Sequence, residues 1–229
     1  MFFDPLYFVI LAPALALSLW ATIKVKTTFA KFSRVPAASR ISGAEAARML
    51  LARNGLDVPV EPHPGGLSDH YDPRTKRLRL SHDVYHGRSL AAIGVAAHEA
   101  GHALQHAAEY QPLALRQVIA PMAGFGSSAS WFLLFLGFIV GSMGLVKLGI
   151  LLFSLVVAFQ LITLPVEFNA SARAKEMVFQ YGFVADGERA GVAKVLNAAA
   201  MTYVAAAVTG VLTLLYYLLR SGLLGSRDE

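Results

Sequence analysis

Ala96-Ala97-His98-Glu99-Ala100-Gly101-His102-Ala103 places an HExxH motif inside a run of helix-forming residues. Residues four apart share one face of a helix, so His98 and His102 can offer two imidazoles to one metal ion. Glu99, one position round, reaches a water on that ion. Zinc hydrolases use this set, the histidines holding the ion and the glutamate moving a proton. Ser89 is a candidate N-cap for a helix over about 90–108, whose first turns are nearly all Ala, Leu, Ile and Val. The motif is therefore expected on a buried helix. A dry wall there strengthens the ion's hold on its ligands and helps lower the pKa of bound water toward about 7.

A catalytic zinc needs a third protein ligand, and with no cysteine among 229 residues that ligand is a histidine or a carboxylate. All seven histidines lie between His63 and His106. His106 continues the four-residue register, but it sits about 12 Å along the helix axis from His98, too far to share an ion. It is expected beside the site or at an interface. The metzincin arrangement, with a third His after a Gly turn, is absent. The better candidate is Glu167 in Leu164-Pro165-Val166-Glu167-Phe168-Asn169-Ala170-Ser171-Ala172-Arg173-Ala174. It ends an otherwise uncharged span, where a free carboxylate is costly and a functional partner is the default expectation. Ala170, Ser171 and Ala174 share its face, so that helix is expected to approach the small Ala97, Gly101 and Ala103 closely. The alternative for Glu167 is an interfacial ion pair with Arg173 or Lys175.

The composition, 55% hydrophobic and 15% charged, is far from that of a soluble domain and makes the lipid bilayer an expected partner. Four uncharged stretches are long enough to cross it, giving expected transmembrane helices over about 5–23, 120–144, 148–166 and 198–219. The first lacks a basic n-region and its positive charges, Lys24, Lys26 and Lys31, follow it. An uncleaved anchor with its N-terminus outside is expected rather than a signal peptide. Of the 20 Lys and Arg, 13 lie between the first two spans and 4 between the third and fourth. That bias orients 24–117 and 167–197, and with them the motif, to the cytoplasm, and leaves Ser68 inside and Ser226 outside. The net charge of +5 thus reports orientation, and nucleic acid is not an expected partner. The expected fold class is mainly α, a multi-pass helical membrane protein of about four transmembrane helices. One domain over 1–229 would carry a cytoplasmic zincin-like helix and a β-hairpin.

Within 24–117, Ser42-Gly43-Ala44-Glu45 has the spacing of a capping box and opens an amphipathic run. Residues 67–71 and 77–81 flank Asp72-Pro73-Arg74-Thr75, a turn signal, so a hairpin is expected just ahead of the motif helix. In zinc peptidases an exposed edge strand commonly aligns extended substrate by backbone hydrogen bonds. This makes 77–81 a candidate substrate strand, with simple packing on the helix as an equal alternative.

The run Asp69-His70-Tyr71-Asp72-Pro73, the stretch from Gly94 to Ala107, Leu164 to Ser171, and Asn197 to Ala207 together resemble the YugP-type membrane zinc metallopeptidases, over nearly the whole chain. More distantly, His98, Glu99, His102 and Glu167 resemble the gluzincin pattern of HtpX and the type I CAAX prenyl proteases, in which a Glu on a later helix completes the site. Those relatives typically carry Asp where Ser171 stands. The resemblance implies a membrane-bound peptidase and does not supply its physiological substrate; a peptide or protein substrate is expected, with membrane protein segments among the candidates, and the oligomeric state is not read from the chain. The expected mechanism holds one zinc on His98, His102 and Glu167 with a water in the open fourth position. Glu99 takes the proton from that water and returns it to the leaving amine. His70, Tyr71, Asn169 and Arg173 are all chemically able to donate to the oxyanion, and the sequence does not choose among them. Two other classes fit less well. A site-two-type intramembrane protease needs HExxH within a span and a Leu-Asp-Gly aspartate, a tripeptide that does not occur. A non-hydrolytic zinc-binding membrane protein needs ligands in several spans, and these spans hold almost no ionisable residues.

Overall fold

The computed structural model describes residues 4–224. Asp4 accepts a hydrogen bond from the Leu6 amide at 3.0 Å, and Pro5 opens the first helix, α1 (Pro5–Phe32), where its missing N–H costs nothing. The capping box at Ser42 forms as expected and starts α2 (Gly43–Arg53). Three short strands follow, β1 (Val60–His63), β2 (His70–Asp72) and β3 (Arg77–Ser81), then a single turn α3 (His82–Tyr85). The motif helix α4 (Leu90–Ala107) starts at Ser89, whose side chain accepts from the Ala92 amide at 3.2 Å.

The hairpin of β2 and β3 closes on Asp72, whose carboxylate accepts from the Arg74 amide at 2.9 Å and the Thr75 hydroxyl at 2.7 Å. The sheet is mixed and three-stranded in the order β1-β3-β2, β1 running parallel to β3 and β2 antiparallel to it. β1 was not foreseen, and its presence corrects the role suggested for 77–81. That strand is central and pairs on both sides, so its backbone has no free edge to offer a substrate.

Three long helices follow: α5 (Gln111–Val140), α6 (Met143–Gln180) and α7 (Arg189–Arg220). With α1 they make four helices long and apolar enough to cross a membrane. Gly141 and Ser142 alone separate α5 from α6, and Gly141 takes the positive φ of +66° that this turn requires. The second apolar stretch therefore stops at Val140, short of residue 144, and α6 begins ahead of residue 148. α6 then runs unbroken through Pro165 and Glu167 to Gln180.

The described residues fall into two compact units, one of Ala21–Leu113 with Val166–Met201, the other of the remainder. The first has a core of Leu50 and Leu51 from α2, Leu78 and Leu80 from β3, Ile93, Ala96, Ala97 and Ala100 from α4, and Val178 and Leu196. The other packs Leu134, Val146, Ile150, Tyr216 and Tyr217 together.

Candidate metal centre

α4 is built of small residues on the side that meets α6. A Cβ on Gly101 would stand 2.9 Å from the Ala170 carbonyl oxygen and 3.4 Å from its Cα, so the two backbones nearly touch there. Close approach lets a short carboxylate on α6 reach two imidazoles on α4. Glu167 does so: its Oε2 lies 3.1 Å from His98 Nε2 and 3.5 Å from His102 Nε2. One ligand atom from each of the three residues falls within 4.8 Å of the others. The ion pair of Glu167 with Arg173 or Lys175 is not the arrangement adopted at this oxygen. Glu167 is 2% exposed, and His102 and Glu99 are each 8% exposed.

The donor set fits a zinc ion. Bonds of about 2.0–2.1 Å in a tetrahedral arrangement put ligand atoms about 3.3–3.4 Å apart, and the two His–Glu separations of 3.1 and 3.5 Å bracket that value. Both imidazoles also turn the same nitrogen toward Glu167, because their other nitrogens are engaged elsewhere. His98 Nδ1 is 3.1 Å from Ser171 Oγ, and His102 Nδ1 is 2.9 Å from Gln105 Oε1. The group that meets His98 Nδ1 is thus a hydroxyl and not the carboxylate expected from the gluzincin resemblance.

Glu99 lies on the same helix with its carboxylate fixed by the sheet: Oε2 accepts the Tyr71 backbone N–H at 3.0 Å. β2 is therefore the strand whose edge meets the motif. The Tyr71 hydroxyl lies 2.9 Å from His106 Nδ1, so His106 fastens this strand to α4 and is not among the clustered ligands. Asp69, next along, accepts from the Ser81 amide at 2.7 Å and the Ser81 hydroxyl at 3.0 Å. Burial pushes the Asp69 carboxyl up, the Ser81 bonds pull it back, and the nearby Glu99 charge raises it further; the net position is above its ordinary value.

Among the four candidate oxyanion donors, the structure gives each a partner. His70 Nδ1 lies 2.8 Å from the Ser68 carbonyl oxygen, and Tyr71 is joined to His106. Arg173 Nε donates to Asn169 Oδ1 at 2.8 Å, and the same oxygen accepts Gln105 Nε2 at 3.0 Å. Gln105 and Asp69 were missed by the sequence reading. For Gln105 a signal was present: it stands three residues after His102 on an apolar helix, where a buried amide must find partners.

Apolar helices of spanning length together with a His–His–Glu cluster on packed helices define a membrane-type zinc metallopeptidase arrangement, and the chain belongs to the family described as "Putative neutral zinc metallopeptidase", whose family model matches residues 7–222. It is 54% identical over 217 residues to the "Putative membrane protease YugP" of Bacillus subtilis (strain 168), covering 94% of this chain and 96% of that protein. No solved structure matches.

Proposed function

We propose that this chain is an integral-membrane zinc endopeptidase that hydrolyses peptide bonds on the cytoplasmic side, with His98, His102 and Glu167 holding one zinc ion and Glu99 as general base. The observation that carries the reading is the convergence of both imidazole Nε2 atoms on one buried carboxylate oxygen, with each Nδ1 occupied by another partner. When bound, zinc supplies the Lewis acidity that makes a water nucleophilic near neutral pH and offsets charge developing on the substrate carbonyl. Glu99 does the proton work. The Tyr71 amide holds one of its carboxylate oxygens and the other takes the proton, which then passes to the leaving amine.

Glu99→Gln keeps zinc content near the parent level while peptide hydrolysis falls by about 100-fold or more, whereas His98→Ala and His102→Ala lose both. Metal analysis and a peptide-cleavage assay read the two. Full activity in the Gln variant would end the general-base assignment.

The cytoplasmic side rests on charge. Of the 20 Lys and Arg, 16 belong to the unit that holds the cluster, the others being Arg116, Lys147, Arg220 and Arg227. With no native cysteine, a thiol placed at Ser68 is expected to be shielded from an impermeant maleimide in intact cells. One at Ser142, in the α5–α6 turn, is expected to react, as is one at Ser226, which lies outside the described residues. Reversal of that pattern would place the site outside the cell and turn it toward exported substrates.

A further inference from the structure

Gln105 is wholly buried, and its amide makes three contacts: Oε1 to His102 Nδ1 at 2.9 Å, Nε2 to the Val166 carbonyl oxygen at 2.8 Å, and Nε2 to Asn169 Oδ1 at 3.0 Å. Which end of an amide faces which neighbour is decided by what those neighbours can do. A backbone carbonyl only accepts, so Nε2 must face Val166. Asn169 gives the same answer independently. Its Oδ1 also receives Arg173 Nε at 2.8 Å, and a guanidinium only donates, so Asn169 must turn its oxygen to this side and present an acceptor to Gln105. Turning the Gln105 amide over would break two bonds and set the oxygen of a wholly buried side chain against two acceptors.

With that orientation fixed, Oε1 faces His102 Nδ1 at 2.9 Å and calls for the proton there; the acceptor on the other side, Glu167 Oε2, stands further off at 3.5 Å from His102 Nε2 and lies nearer, at 3.1 Å, to His98 Nε2. We propose that Arg173, Asn169 and Gln105 are positioning residues, a hydrogen-bond chain that sets the tautomer of His102 so that Nε2 is the metal-facing nitrogen. The chain starts at the one group in it that never changes its donor character and ends at a ligand. His98 is treated differently. Its Nδ1 meets the Ser171 hydroxyl at 3.1 Å, and a hydroxyl gives or takes as required, so it dictates nothing. One histidine is thus preset and the other adapts.

The role toward the metal rests on the zinc-site reading above; the tautomer does not, and two measurements keep them apart. In metal-free full-length protein labelled with 15N-histidine, at a pH where imidazoles are neutral, the His102 signals, identified by their loss in His102→Ala, are expected to report a proton on Nδ1. In Gln105→Met, where the Glu167 carboxylate opposite Nε2 is the remaining acceptor, the proton is expected to move toward Nε2. Cobalt(II) titration of the same proteins, followed by visible absorption, is expected to give about 10–100-fold weaker binding in Gln105→Met. Asn169→Leu is expected to fall in the same direction, and Asn169→Asp to bind as the parent does, because a carboxylate still accepts from both Arg173 and Gln105. A parent tautomer in Gln105→Met overturns the proposal, and so does an Asn169→Asp protein that loses as much as Asn169→Leu. Absence of cobalt binding in the parent, with the tautomer pattern as expected, overturns the metal reading and leaves the chain standing.

Discussion

The two units of the molecule solve the problem of an apolar chain in opposite ways. In the unit that holds the cluster, Leu50, Leu78, Ile93 and Ala96 are fully buried, and side-chain hydrogen bonds link separate elements, from Gln105 on α4 to Asn169 on α6 and from Ser81 to Asp69. In the other, Val9, Phe125 and Phe132 are 72%, 74% and 65% exposed. The hydroxyls there bond mostly to their own helix, as Thr163 does to the Phe159 carbonyl and Thr213 to the Thr209 carbonyl. A surface of large apolar side chains and self-satisfied hydroxyls suits hydrocarbon, which offers no hydrogen bonds. The first unit instead spends its polar groups on each other. Chemistry that needs oriented imidazoles and carboxylates belongs there.

The sharpest test of that division lies on α6, which contributes to both units. Glu167 and Glu176 share this helix, but Glu167 is buried against two histidines and Glu176 is exposed. Glu167→Ala is expected to weaken zinc binding by more than about 100-fold, since in the proposed site it removes a ligand and not merely a supporting bond, and Glu176→Ala to leave it unchanged. Equal zinc content in the purified variants would remove Glu167 from the site and leave the first unit without its distinguishing feature.

Next in size is a pair of glycine changes. The Cβ of Gly101→Ala would meet the Ala170 backbone of the facing helix, which cannot yield as a flexible side chain would. A loss of about 1–3 kcal/mol in stability is expected, with weaker zinc binding as the helices separate. Gly124, on α5 in the other unit, has nothing within 4 Å of such a Cβ, so Gly124→Ala is expected to be neutral or to gain up to about 1 kcal/mol from helix propensity. Thermal unfolding in detergent and zinc titration measure both. Matching losses would mean that the open face of Gly124 is covered by a partner.

Local pattern was enough to read the elements whose causes are local. The caps at Ser42 and Ser89, the turn at Asp72 and the four apolar helices each follow from a few adjacent residues. The site was legible because the four-residue spacing of His98 and His102 fixes their relation. The small residues around Gly101 and Ala170 marked where a second helix comes close. β1 escaped notice because Val60-Glu61-Pro62-His63 has a proline and no clear alternation, and it becomes a strand only through its pairing with β3. Gln105 and Asp69 escaped for a similar reason. Their roles depend on partners tens of residues away or on the next strand, and a polar residue in a sequence does not announce whether its partner is water.

The smallest expected effect is at the entrance to α2, which belongs to the unit of the cluster without touching it. The Ser42 hydroxyl accepts from the Glu45 amide at 3.2 Å, and the Glu45 carboxylate accepts from the Ser42 amide at 2.7 Å. The Ser42 backbone bond first, and its side chain second, hold the Glu45 carboxyl below its ordinary value of 4.5. Folding therefore favours the charged form. That contribution is complete above the unfolded value and fades as the pH falls through the lower folded one. Ser42→Ala is expected to cost about 1 kcal/mol near neutral pH, with the gap from the parent narrowing as the pH falls below 4.5 and through the lower folded value. Zinc affinity at neutral pH should not change, because α2 supports α4 through apolar contacts such as Leu50 and not through the ligand network. A fall in zinc affinity larger than the fall in stability would show that the network extends through α2, and the line between scaffold and centre would have to be redrawn.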